Sequence, residues 1–261
     1  MDTLTTCGRE IRYDVTPGDP RRTPLLMCCG IGAGFEVLQP VVDVLDRTVI
    51  RFDVPGVGGS RAGLLPDGIP RIACLVDRML DQLGYGEVDV LGLSWGGAVA
   101  QQLAVQHRHR VRRLVLVSTG TGVLMVPGRP STLLKMLTPL RFRDPEYAAG
   151  LAGLLYGGSA RRHSRDILTV FQQQAHGGSS RGYLYQLLAG AFWTSLPFLG
   201  LIRQPTLVLT GDDDPIIPVV NGRILARFIP NAELHVYPGG HVELVTEAPA
   251  LVPVITRFLS R

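Results

Sequence analysis

The sequence predicts an α/β protein: a mostly parallel sheet flanked by helices on both faces and interrupted by a helical insertion. Three patterns predict it. Short apolar runs alternate with stretches of helical period, the order of a sheet whose strands are joined by crossover helices. The runs are apolar at successive positions, as strands covered on both faces require. The rhythm breaks after Ser118 and resumes near residue 206, an interval far longer than one crossover needs.

Taken in order, residues 4–15 alternate weakly and read as an antiparallel hairpin edge. Residues 24–29 form the first apolar strand, followed by the loop Gly30-Ile31-Gly32-Ala33-Gly34 and an apolar-periodic helix running to Leu45. Residues 48–53 are a second strand, and residues 54–60 a loop dense in Pro and Gly. From 71 to 83, Ile72, Leu75, Val76, Met79, Leu80 and Leu83 share one helical face. A strand at 87–91, a glycine-flanked turn, a helix at 98–107 and a strand at 113–117 complete a first core part, residues 1–118. Residues 119–204 read as a helical cap, punctuated by Pro127, Pro130, Pro139, Pro145 and Pro197. Residues 205–261 return to the core pattern, with strands at 206–210 and 233–237 and helices at 219–228 and 248–259.

A chain of 261 residues fits one sizeable domain that needs no disulfide staples. Hydrophobic residues make up 46% and charged residues 18%, which excludes a disordered or coiled-coil chain. The net charge of +4 hints at nucleic acid, but Lys135 is the only lysine and the arginines are scattered. The clusters Arg108/Arg110/Arg112/Arg113 and Arg161/Arg162/Arg165 read as solvated surface or helix ends, so no nucleic-acid partner is expected. Cys7, Cys28, Cys29 and Cys74 lack C-x-x-C spacing and read as free thiols in a reducing compartment. Residues 1–6 show no signal-peptide pattern and no apolar run approaches a membrane span, so a cytoplasmic protein without a transmembrane segment is expected.

The chemistry centres on Gly92-Leu93-Ser94-Trp95-Gly96, placed between a strand and a helix. A serine hydroxyl is a poor nucleophile unless it is held exposed in a strained turn beside a base, and G-x-S-x-G in this setting does that. A base and an orienting acid must then come from other strand ends, and the chain supplies them in the order Ser, Asp, His found in α/β-hydrolases. In Thr210-Gly211-Asp212-Asp213-Asp214-Pro215, Pro215 keeps Asp214 extended, so Asp214 is the expected acid and Asp212 and Asp213 are loop-bonding competitors. A metal site built on the three aspartates lacks a nearby histidine or calcium-loop spacing, so no metal is expected.

Six histidines compete for the base. His107 and His109 flank a helix end, His163 and His176 lie in polar parts of the insert, and His235 shares a strand face with Glu233 and Tyr237 that reads as surface. His241, in Pro238-Gly239-Gly240-His241 after the last strand, is the expected base. Main-chain N–H groups of Ile31 and Trp95 suit an oxyanion hole. The Gly30-x-Gly32-x-Gly34 loop with Asp53 imitates a dinucleotide site but lacks the third glycine at the required spacing, so no cofactor is expected.

These motifs carry a resemblance. Gly30-Ile31-Gly32-Ala33, Phe52-Asp53-Val54-Pro55-Gly56-Val57-Gly58-Gly59-Ser60, Ser94-Trp95-Gly96-Gly97, Val126-Pro127-Gly128, Trp193-Thr194-Ser195 and the Gly211–Pro218 block are similar to those of α/β-hydrolase fold esterases, and more closely of intracellular medium-chain-length polyhydroxyalkanoate depolymerases. The likeness implies a triad of Ser94, Asp214 and His241, an ester or polyester substrate and contact with a storage-granule surface. Two features depart from it: Cys29 stands where Asn or His is expected, and the stretch 141–165 is changed. A small-ester, lactone or thioester hydrolase and a slowly turning over ligand receptor are the alternatives. Of the insert's large aromatics, Tyr147, Tyr156, Phe171, Tyr183, Tyr185, Phe192, Trp193 and Phe198, most are expected to pack the cap itself, with Trp193 the candidate substrate contact.

Overall fold

A computed structural model describes residues 1–138, 140, 144–162 and 179–261. Eight strands form one sheet in the order β1-β2-β4-β3-β5-β6-β7-β8. They are β1 Asp2–Thr6, β2 Arg9–Thr16, β3 Leu25–Cys28, β4 Val49–Phe52, β5 Val88–Leu93, β6 Val111–Val117, β7 Thr206–Gly211 and β8 Ala232–Tyr237. The β1–β2 and β2–β4 pairs are antiparallel and every other pair is parallel. The described helices are α1 Gln39–Val42, α2 Ile69–Gln82, α3 Gly96–Gln106, α4 Pro130–Met136, α5 Pro145–Tyr156, α6 Ser180–Ala191, α7 Val219–Phe228, α8 Glu243–Thr246 and α9 Ala248–Leu259. The last of the first-part strands, β6, is followed by α4, α5 and α6 before β7 returns to the sheet.

Strand side chains alternate between two cores. Leu26, Ile50, Val90 and Leu114 meet the inner faces of α2 and α3 through Val76, Leu80, Val99 and Leu103. Leu25, Val49, Leu91 and Val115 meet α9 through Leu251, Ile255 and Phe258. Burial on both faces is why these runs are apolar at successive positions.

Register brings the functional loops together. Cys28 pairs with Gly92, Leu93 with Val117, Val117 with Leu209, and Gly211 with Tyr237. The loops leaving β3, β5, β7 and β8 therefore open at one edge, and they carry Ile31, Ser94, Asp214 and His241.

Four expectations need correction. The helix after β3 is only a 3-10 turn, Phe35–Leu38, followed by the single turn of α1. Pro40 lacks the N–H that would bond back to Glu36 in a continuous α-helix, so the segment cannot run through. On β8, Tyr237 is buried at 4% exposure while Leu234 and Val236 are exposed at 37% and 41%; the Glu233–His235–Tyr237 face is thus the one turned inward, because Tyr237 packs into the second core. Arg110 is buried, not solvated: it bonds Asp77 at 2.6 Å, Asp81, and the Tyr85 and Gly86 carbonyls. Arg112 likewise turns inward, to Asp89. His163, Arg165, Phe171 and His176 lie outside the described residues.

Asp89 itself breaks the apolar run of β5 and is fully buried. Its carboxylate accepts from Arg47 at 2.8 Å and from Arg112 at 2.9 and 2.7 Å. Burial lowers the pKa of Arg47, opposed by the charge of Asp89. Replacing Asp89 with Ala leaves two guanidinium groups without their carboxylate, one of them buried, and is expected to cost about 3–5 kcal/mol. Urea unfolding measures this; a loss below about 1 kcal/mol would show that water already screens the cluster.

Candidate active site

Ser94 turns the chain from β5 into α3 with φ at +54°, a left-handed conformation that residues with a side chain seldom adopt. Its neighbours are glycines for a steric reason. A Cβ at Gly92 would meet Gly97 Cα at 2.6 Å and Ala100 Cβ at 2.7 Å, and one at Gly96 would run into the main chain of Cys28 and Cys29. The turn is tied down by the Ser94 N–H donating to the Val117 carbonyl at 2.9 Å. The Thr119 hydroxyl donates to the Ser94 carbonyl at 2.7 Å.

From this turn the Ser94 hydroxyl reaches His241 Nε2 at 2.8 Å. His241 Nδ1 lies 2.7 Å from Asp214 Oδ2. The other Asp214 oxygen, Oδ1, accepts the Ile216 and Ile217 N–H groups at 2.9 Å each. As a carboxylate Asp214 can only accept, so Nδ1 carries the imidazole proton and Nε2 is left to accept from the serine hydroxyl. The His241 main-chain N–H donates to the Tyr156 carbonyl at 2.7 Å, which anchors the loop after β8 to the C-terminal end of α5.

The competing residues have other partners. Asp212 accepts the Gly239 N–H at 3.0 Å. Asp213 accepts from Arg161 at 2.7 and 3.0 Å and from the Gly158 N–H at 2.9 Å, and the Arg161 guanidinium holds its carboxyl below the usual range. His107 lies 3.4 Å from Asp77 at the end of α3, where burial pushes its imidazole pKa down. Asp53 accepts from Arg12 at 2.6 Å and from the Phe35 and Gly59 N–H groups at 2.9 Å each, so its carboxylate is occupied within the fold. Burial pushes the Cys28 thiol up to about 12. Among the described residues, no three His, Cys, Asp or Glu side chains converge as metal ligands.

A cavity of about 300 Å³ opens at Ser94 and is bordered by both Ile31 and Trp95. Its lining is largely apolar and includes Met125, Met136, Leu187, Trp193, Ile216 and Ile217. Trp193 is thus placed at the cavity, but its indole N–H is already donated to Gln102 at 2.8 Å and its ring meets Phe198 edge-on at 6.0 Å. Tyr156 and Tyr183 are buried in the cap, at 6% and 4% exposure, while Phe192 is 87% exposed.

The family model of the alpha/beta hydrolase fold matches residues 23–248. The chain belongs to the α/β-hydrolase family. This α/β-hydrolase is 46% identical to a poly(3-hydroxyalkanoate) depolymerase of Ectopseudomonas oleovorans, over 99% of its own length and 92% of the relative's. It is 25% identical to 3-oxoadipate enol-lactonase 2 of Acinetobacter baylyi, over 100% and 97% of the two chains. The crystal structure of an enol-lactonase from Burkholderia xenovorans LB400 superposes with a TM-score of 0.85 over 100% of both chains, at 22% identity, a likeness of fold.

Sequence reasoning missed most of the cavity wall, because it looked for aromatics where the wall is largely aliphatic and thioether. Ile216 and Ile217 carried a signal: two isoleucines in the loop just after Asp214-Pro215 have little reason to be apolar unless they border the site. Gln186, buried at 3% exposure on α6, gave none. Among the described residues, no helix is long and apolar enough to cross a membrane.

Proposed function

We propose that this α/β-hydrolase cleaves the ester bonds of medium-chain-length polyhydroxyalkanoates through Ser94, His241 and Asp214. The observation that carries the reading is the Ser94–His241–Asp214 hydrogen-bonded chain opening directly into an apolar cavity. The depolymerase relative supports the choice of polyester over other esters.

The chemistry follows from the positions. Ser94 Oγ attacks the ester carbonyl carbon while its proton passes to His241 Nε2, and Asp214 stabilises the imidazolium that forms. The Ile31 and Trp95 N–H groups, the latter at the positive end of α3, receive the negative charge developing on the carbonyl oxygen. Collapse expels the alcohol, which takes the proton from His241. Water, deprotonated by the same imidazole, then frees the acyl group from Ser94.

The cavity bears on chain length. At about 300 Å³ it stands at the low end of ligand pockets, roughly 300–1,000 Å³, so it suits one aliphatic side chain and not a folded run of polymer. Each methylene buried there contributes about 0.8 kcal/mol. Outside it, Leu184 and Leu188 on α6 and Phe192 at its C-terminal cap follow each other at four-residue spacing, exposed at 51%, 36% and 87%. This apolar stripe supports docking on a storage granule.

Hydrolysis of p-nitrophenyl esters and of two kinds of polyester granule tests the reading. kcat/KM is expected to climb from acetyl to octanoyl, and medium-chain granules to release hydroxy acids faster than poly(3-hydroxybutyrate). A preference for acetyl esters with no release from granules would leave a general esterase or lactonase. Absence of steady-state turnover would leave a receptor.

A further inference from the structure

Gln186 joins the cap to both loops that carry the proposed oxyanion donors. Its side-chain Oε1 accepts the Gly32 N–H at 2.7 Å, and Gly32 adjoins Ile31. Its main-chain carbonyl accepts the Trp95 indole N–H at 3.0 Å. The hydrogen bonds join residues 154 and 91 positions apart in the chain, and the residue itself borders the cavity.

The helix that carries it is held elsewhere. The Ser179 N–H donates to the Gly56 carbonyl at 3.1 Å, and Gly182 lies so close to Gly56 that a Cβ would collide with that carbonyl. At the other end the Trp193 indole is bonded to Gln102. Helix α6 is therefore a fixed support.

The loop it touches is the opposite. Gly30, Gly32 and Gly34 leave it little intrinsic preference, Gly32 sits at φ +72°, and its internal bond from the Ala33 N–H to the Gly30 carbonyl is long, at 3.4 Å. A short bond donated by the Gly32 N–H to a buried side chain supplies the constraint that the loop lacks.

We propose that Gln186 is a positioning residue: through Gly32 it sets the direction of the Ile31 N–H, while its bond from the Trp95 indole seats it beside the serine turn, whose own peptide is held by Thr119. The cap thereby completes an oxyanion site whose donors stand on the sheet edge. The proposal rests on the serine-hydrolase reading above. Donors stabilise an oxyanion in proportion to how well they are aimed beforehand, and a loop that must reorganise loses that advantage in the transition state only. The loss therefore falls on kcat and not on KM.

Gln186→Met keeps the length and the packing but removes the acceptor for Gly32. Losing an oxyanion donor outright costs about 100- to 1,000-fold, so misaiming one is expected to lower kcat about 10- to 100-fold. Octanoyl-ester turnover, counted per active site by burst titration, reads this, and KM is expected to move less than about threefold. Affinity for an octyl trifluoromethyl ketone, whose adduct with Ser94 places an oxyanion in the same site, is expected to fall by the same factor as kcat. Should the Met variant fold poorly, Trp95→Phe removes the indole N–H together with the rest of its five-membered ring, keeps the main-chain donor, and is expected to show the same joint loss on a smaller scale. Wild-type kcat in a folded variant, a change confined to KM, or undiminished ketone affinity would overturn the positioning role. If the wild-type protein ignores the ketone and Ser94→Ala stays active, the serine-hydrolase reading fails instead.

Discussion

Ser94→Ala is expected to lower kcat by about 10⁵- to 10⁶-fold, the scale at which a nucleophile acting as one unit with its base is lost. The physical case is specific to this turn. The hydroxyl is the group placed 2.8 Å from His241 Nε2, and nothing else on β5 or α3 bears a nucleophile toward the cavity. Alanine retains the Cβ, so it leaves the left-handed strain at φ +54° as it was. The Val117 and Thr119 bonds go to the Ser94 main chain and also persist. Unfolding free energy is therefore expected to stay within about 1 kcal/mol of the parent, the net worth of one hydrogen bond. A fluorophosphonate should label Ser94 in the parent and nothing in the variant, read by peptide mass spectrometry. Label on another residue, or a variant with near-normal turnover, would remove the nucleophile assignment and everything built on it.

Asp214→Asn carries the second largest expected effect, a loss of about 10⁴-fold in kcat. Its direction follows from the hydrogen bonds around the side chain. Oδ1 accepts two N–H groups, from Ile216 and Ile217, so an asparagine must keep its carbonyl oxygen there. Its NH₂ is then forced toward His241 Nδ1. A donor in that place requires Nδ1 to accept, which moves the imidazole proton to Nε2, where it meets the Ser94 hydroxyl. The base is present but blocked. Neighbouring substitutions provide the control. Asp212→Asn retains an oxygen for the Gly239 N–H, and Asp213→Asn weakens an ion pair exposed at about two-fifths on both sides, worth at most about 1 kcal/mol. Both are expected to keep kcat within about tenfold of the parent, measured with the same octanoyl ester. A severe Asp213 variant beside a mild Asp214 variant would move the acid by one residue.

How far each of these could be anticipated depended on the range of the interaction. The strands were legible because burial on both faces makes consecutive positions apolar, and the serine turn because three glycines in six residues have a steric cause. Helix α1 was misjudged since its apolar spacing outweighed one local fact, the missing N–H of Pro40. The β8 face was misread because an edge strand with a buried tyrosine can turn either way until α8 and α9 cover it. Arg110 and Arg112 looked like surface charges, and only their partners Asp77 and Asp89, 33 and 23 positions away, show them to be paired inside the fold.

By itself, then, the sequence determined the α/β architecture, the loops that leave the sheet edge and the residue types those loops present. Periodicity, Pro and Gly act within a few residues of themselves, and such rules need no knowledge of the rest of the chain. Only the tertiary structure decided what those loops meet. Ser94 and His241 are 147 positions apart, Gln186 reaches a loop 154 positions before it, and the cavity wall draws Met125, Met136, Leu187 and Ile216 from the loop after β6, α4, α6 and the loop after β7. Contacts of that span are set by strand register and by the seat of the cap on the sheet, and a side chain's own neighbours in sequence carry no record of either.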